Sequence, residues 1–124
     1  MACNPGASPG AITALERAFG KPFEPAFTAY LGHTNGFKDF EWDDAMFSFW
    51  SAERILQELD DGHPAELFCF ADHCINLGSF GYGREVKAPT IYLHYQHADG
   101  FEAVADSFPD FLRRYLQDPF ALLR

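Results

Sequence analysis

Apolar residues repeat with two different periods along this chain, and the change of period predicts its elements. Near the beginning and towards the end they recur at offsets of three and four, which marks one face of a helix. This repeat predicts helices over residues 11–19, 25–33 and 108–117, with a further helix after Ser51. Alternation and β-rich composition predict strands over residues 46–50, 66–71, 75–83, 90–97 and 101–105.

Short connections join most of these strands, so neighbours along the chain are expected to pair antiparallel. Helices, then strands, then a helix is an α+β order. The sequence therefore predicts an α+β fold in which helices flank a mainly antiparallel central sheet. The expected core consists of Phe19, Phe27, Leu31, Phe49, Leu67, Ile91, Leu93, Phe108, Phe111 and Leu112.

Two element boundaries carry clear local signals. Ser107 and Asp110 form a capping-box pattern, and Pro109 falls in the first turn, where backbone N–H groups lack helical acceptors. Asn35 and Gly36 follow the second helix and are expected to end it in a turn, with positive φ at one or both residues. These signals indicate structure and no reactive chemistry.

The length of 124 residues suits a single domain over residues 11–124, preceded by a flexible tail over residues 1–10. The tail is rich in Pro, Gly and Ser and has neither the basic nor the apolar stretch of a secretion signal. No apolar run reaches ~18 residues, so no membrane span is expected. Three cysteines, an odd number without framework spacing, favour a reducing cytoplasm.

The net charge of −9 is concentrated in one segment, residues 39–66. That segment has nine acidic residues and a single base, Arg54, so it carries −8 of the total. Nucleic-acid binding is disfavoured, because phosphate contacts need a basic surface. A basic protein partner is favoured, because opposite fields steer two proteins together. The alternative is a solvated acidic face that only keeps the protein soluble.

Cys69, Asp72, His73 and Cys74 are the tightest group of metal-capable side chains. They lack a Cys-x-x-Cys pair, and an unbroken strand would send the two cysteines to opposite faces, so a zinc site is not expected. A catalytic pair with Cys74 as nucleophile and His73 or His94 as base is also weakly indicated, since closeness in sequence does not place a base within hydrogen-bond reach of a thiol. We therefore expect no metal, cofactor, disulfide, small-molecule substrate or catalysis.

With these elements placed, the chain resembles the SUKH superfamily, which contains fungal cell-wall regulators of the Smi/Knr type and bacterial immunity proteins. The resemblance runs from about residue 11 to residue 117. It rests on the order and spacing of short motifs at residues 12–16 with Gly20, residues 23–31 with Asn35 and Gly36, residues 70–72, and residues 104–112.

The resemblance implies a small α+β domain without catalytic residues that binds another protein. For bacterial members it implies that the partner is a toxin domain, often a nuclease, which the immunity protein blocks inside the producing cell. The alternative that stays open is a regulatory or scaffolding domain of the Smi/Knr type with no toxin partner.

Charge and resemblance together place the expected partner surface on the acidic segment. Its candidate residues are Asp39, Glu41, Trp42, Asp43, Asp44, Glu58, Asp60 and Asp61. Trp42 and Trp50 are candidate aromatic anchors, with burial in the core as the alternative. If the acids do not bind, the open side of the sheet around Tyr82, Tyr92 and His94 is the next candidate.

Overall fold

The computed structural model describes residues 2–38, 41–59, 65–96 and 98–123. The helices are α1 (Pro9–Phe19), α2 (Pro25–His33), α3 (Ala52–Glu58) and α4 (Phe108–Gln117), and a 3₁₀ turn follows at Pro119–Leu122. The strands are β1 (Cys3–Pro5), β2 (Thr34–Phe37), β3 (Phe47–Phe49), β4 (Leu67–His73), β5 (Gly78–Gly83), β6 (Ile91–Tyr95) and β7 (Glu102–Ala105).

The main sheet has five antiparallel strands in the order β3-β4-β5-β6-β7, so each strand pairs with its neighbour in sequence. A separate pair, β1 with β2, is also antiparallel. The α+β class and the mainly antiparallel sheet are therefore confirmed. One predicted strand, residues 75–83, begins only at Gly78, because residues 74–77 form a turn.

Aromatic rings fill the space between the helices and the sheet. Phe27 of α2 meets Phe70 of β4 and Phe108 of α4, with ring centroids 5.2 and 5.1 Å apart. Phe111 packs on Phe80 of β5 at 5.1 Å. Every residue of the predicted core is buried except Leu112, which is half-buried.

The start of α4 is fixed by the cap that its sequence predicts. Ser107 Oγ accepts a hydrogen bond from the N–H of Asp110 at 3.2 Å. The Asp110 carboxylate in turn accepts from the N–H of Asp106 at 3.0 Å, one residue earlier than a standard capping box. That bond, with Arg113 and Arg114 nearby, lowers the pKa of Asp110 to about 2.

The N-terminal residues differ from the flexible tail expected over residues 1–10. Cys3–Pro5 forms β1, and Asn4 Nδ2 donates to the carbonyl oxygens of Asn35 and Phe37, each at 3.0 Å. Helix α1 already begins at Pro9, capped by Ser8. The composition of the segment does not predict this structure, because the segment is held by main-chain pairing to β2 and not by an apolar face.

Asn35 and Gly36 also differ in part from the prediction. Helix α2 ends at His33, and both residues lie in β2 rather than in a closing turn. Gly36 does adopt positive φ, 68°. The Asn35 side chain accepts from the N–H of Ala52 at 2.7 Å, so this residue ties β2 to the start of α3.

Candidate functional site

The loops at one end of the main sheet lie together because of the strand register. Phe47 at the start of β3 pairs with His73 at the end of β4, and His73 pairs with Gly78. Gly78 in turn pairs with Tyr95, near the end of β6, and the next strand enters from the same side. We call residues 41–46, 74–77 and 98–102 at this end the loop end of the sheet.

The charge at the loop end has a single sign. Its acidic residues are Glu41, Asp43, Asp44, Asp99 and Glu102, and these three stretches contain no lysine or arginine. Asp44, Asp99 and Glu102 are exposed, and the other two acids are half-buried. A field of one sign at this end would attract a basic surface and repel an acidic one.

Apolar side chains are exposed among these acids. Exposed fractions are 67% for Ile75, 49% for Leu77, 46% for Trp42 and 37% for Phe101. In the described part of the chain, only two other large apolar residues are comparably exposed, Leu116 and Phe120. Exposed apolar side chains bordered by charges are typical of protein interaction sites.

Asp43 gives the first of these loops a fixed shape. Its Oδ1 accepts hydrogen bonds from the N–H groups of Ala45 and Phe47, each at 2.9 Å. The Tyr115 hydroxyl of α4 donates to Oδ2. Burial raises the pKa of Tyr115 most, and the Asp43 carboxylate raises it further. Asp43 is thus committed to holding its own loop against α4.

Asp43→Ala is expected to lower the free energy of unfolding by about 1–3 kcal/mol, because two backbone donors and the Tyr115 hydroxyl lose their acceptor. Urea denaturation measures the loss. Asp44→Ala at the exposed neighbour serves as the control and should change stability by no more than about 0.5 kcal/mol. Equal effects of the two substitutions would contradict the structural role of Asp43.

A buried polar cluster lies behind the 74–77 turn. Arg54 of α3 donates through Nη2 to Asp72 Oδ2 at 3.1 Å and through Nε to Glu58 at 3.5 Å. Trp50 Nε1 donates to the same Asp72 oxygen at 2.7 Å. Burial raises the pKa of Asp72, and the bonds from Trp50 and Arg54 oppose that rise. Asn76 of the turn donates to Glu58 Oε1 at 3.4 Å, which links the cluster to the loop end.

A comparison with protein-family models matches residues 6–114 to the SMI1 / KNR4 family (SUKH-1). The chain belongs to this family. The match spans α1 to most of α4 and includes the whole loop end, and it confirms the resemblance noted from the motifs. A search of curated proteins found no match.

The structure of this SMI1/KNR4 chain places the residues of the predicted acidic segment in different environments. Glu41, Trp42, Asp43 and Asp44 lie at the loop end, as described above. Glu58 does not lie on an open surface: it is buried and paired with Arg54 and Asn76. Asp39, Asp60 and Asp61 fall outside the described residues.

Trp50 is a core residue and not an exposed anchor, since it is buried and bonded to Asp72. Sequence reasoning also missed Ile75, Leu77 and Phe101 as members of the SMI1/KNR4 chain's exposed surface. The alternation around residues 75–83 indicated a strand there. Only the register, which brings the β4–β5 turn beside the acidic loop, reveals their common position.

Cys69 of the SMI1/KNR4 chain lies buried in β4. Burial raises the pKa of Cys69 to about 12, which keeps it a thiol at neutral pH. Across the described ranges, no three His, Cys, Asp or Glu side chains come together in a way that could hold a metal ion. The described helices are also all too short or too polar to cross a bilayer.

Proposed function

We propose that this protein is a non-catalytic, cytoplasmic binding protein that neutralises a basic toxin domain by docking its loop end onto it. The observation that carries the proposal is the composition of that end: exposed Asp44, Asp99 and Glu102, exposed apolar side chains, and no basic residue in the three stretches. Membership of the SMI1/KNR4 family supports it through the immunity role that the resemblance implies.

Nuclease toxins suit this surface because their substrate grooves are basic. Carboxylates that project from several loops can occupy positions otherwise taken by phosphates, and each acid–base pair across the interface selects against an acidic partner. The partner surface therefore comprises Glu41, Trp42 and Asp44 from the predicted segment, together with Asp99 and Glu102. Asp43 contributes by shaping the loop and should be left intact in any test of binding.

The test compares two charge reversals of equal size at opposite ends of the same sheet. Asp44→Lys with Glu102→Lys changes the loop end. Glu66→Lys with Glu85→Lys changes the other end, where Glu66 directly precedes β4 and Glu85 follows β5. All four residues are exposed, so both variants should fold.

We expect the loop-end variant to lose protection when it is co-expressed with a basic toxin domain encoded beside it. Its association rate constant with the toxin domain should fall about tenfold or more. The association rate constant of the wild type should fall steeply with added salt, because at 0.1 M ionic strength the attraction between opposite charges is screened within ~10 Å. The control variant should protect as the wild type does. Full protection by a folded loop-end variant would exclude this binding surface, and a wild type that protects against no such toxin would favour the regulatory alternative.

A further inference from the structure

Left-handed backbone is concentrated at the loop end. In the described residues, the non-glycine positions with positive φ are Met46 at 69°, Cys74 at 55°, Ile75 at 53° and Asn76 at 67°. Asn tolerates this conformation, but a β-branched residue such as Ile does so rarely, because its Cβ substituents crowd the backbone. All four residues lie in the two adjoining loops that lead into β3 and join β4 to β5.

Ile75 therefore lowers the stability of the fold for two reasons. Its backbone is strained, and its side chain is the more exposed of the two apolar residues in the turn, ahead of Leu77. Asn or Gly at this position would relieve the strain and remove apolar surface from water. Strain and exposed apolar surface at one residue point to a role outside folding, since functional positions are where stability is given up.

The turn is held rigid in spite of its strain. Cys74 N–H donates to the carbonyl of Met46 at 2.9 Å, and Gln96 N–H donates to the carbonyl of Leu77 at 2.8 Å. Asn76 donates to Glu58, which Arg54 holds in the buried cluster. The turn is thus tied to both neighbouring loops and to α3, so its side chains need little ordering when a partner binds.

We propose that Ile75 and Leu77 are the apolar anchors of the loop end, and that they insert into an apolar recess rimmed by lysine or arginine on a partner protein. The proposal rests on the proposed function only for the position of the binding surface, and it does not require that the partner be a toxin. Charge complementarity selects the occupant, because the exposed neighbours Asp44, Asp99 and Glu102 match a basic rim. A second copy of this chain would bring the same acids together and is disfavoured.

The test uses an amphipathic helical peptide composed only of leucine and lysine, which presents an apolar stripe between basic flanks. A lysine-only peptide of equal charge controls for attraction by charge alone. We expect the leucine–lysine peptide to shift backbone NMR signals of residues 41–46, 74–77 and 98–102. Ile75→Ser with Leu77→Ser should weaken its binding about tenfold or more.

Leu116→Ser with Phe120→Ser is the matched control, because those exposed apolar residues belong to α4 and the 3₁₀ turn and not to the loop end. This variant should bind the peptide as the wild type does. Equal binding of the lysine-only peptide, equal weakening by the control variant, or a concentration-dependent dimer in sedimentation would each overturn the proposal.

Ile75→Asn provides a readout that a purely structural role would not give. It should raise the melting temperature by roughly 5 °C while weakening peptide binding, because it relieves strain and removes the anchor. A lower melting temperature would show that Ile75 serves the fold and would count against the proposal. An Ile75→Ser, Leu77→Ser variant that binds the peptide as tightly as the wild type overturns the anchors alone, whereas a wild type that binds the peptide but gives no protection against a toxin overturns the toxin function alone.

Discussion

Arg54→Met is expected to lower the free energy of unfolding by about 3–5 kcal/mol, one of the two largest effects of a single substitution that we predict. The guanidinium is buried and donates to Asp72, Glu58 and the hydroxyl of Ser48. Methionine fills similar volume but leaves two buried carboxylates without their counter-charge. Urea denaturation at neutral pH measures the loss.

The loss should shrink as the pH falls, which identifies its cause. Arg54 lowers the pKa of Asp72, so without it that pKa, already raised by burial, rises further. A carboxyl whose folded pKa lies above its unfolded value of about 3.9 gains stability as the pH falls towards that value. Adding Asp72→Asn to Arg54→Met should recover part of the loss at neutral pH. A loss that is independent of pH and unaffected by Asp72→Asn would mean that packing, and not charge, is responsible.

Gly36→Ala and Gly36→Val are each expected to destabilise the protein by about 3 kcal/mol or more, for two combined reasons. The φ of Gly36 is 68°, which L-residues resist. A Cβ at this position would also lie 2.4 Å from the carbonyl oxygen of Trp50 and 2.7 Å from that of Phe49. Backbone atoms cannot move aside as a flexible side chain can, so alanine is already nearly as harmful as valine.

Gly20→Ala separates the two causes. Gly20 also has positive φ, 93°, but its Cβ would meet nothing within 4 Å. We expect this variant to lose only about 1 kcal/mol, the cost of the left-handed backbone alone. Thermal or urea denaturation of the three variants gives the comparison. Equal losses at the two glycines would show that the approach of β2 to Trp50 does not constrain residue 36.

Sequence-local features were predicted well because their causes are local. Helix α4 has its predicted bounds, since Ser107, Asp110 and the apolar repeat all act within a few residues. The strands and their antiparallel pairing follow from short connections. The N-terminal strand was missed, because no alternating pattern indicates it and its partner strand β2 is distant in the sequence; Asn4 donates to the carbonyl of Asn35, 31 residues away.

The candidate site was predicted only in part, because charge counts do not show which carboxylates are paired. Glu58 stands four residues after Arg54, a spacing that suits an ion pair on one helix face, and the structure buries that pair. The burial of Trp50 depends on Asp72, 22 residues further on. The exposed turn at residues 74–77 depends on left-handed non-glycine backbone, which no local signal in its sequence predicts.

The order of the main sheet has a consequence for how the chain folds as it is synthesised. Because β3 to β7 pair only with sequence neighbours, the meander can assemble hairpin by hairpin while the chain emerges from the ribosome. The core can close only after α4 has been synthesised. Glu24 of the α1–α2 connection accepts the N–H of Phe108 across 84 residues, and Phe108 fills the space against Phe27. Nascent chains that lack α4 would therefore hold a paired sheet beside an open aromatic core, and the last helix both closes that core and fixes the Asp43 loop through Tyr115.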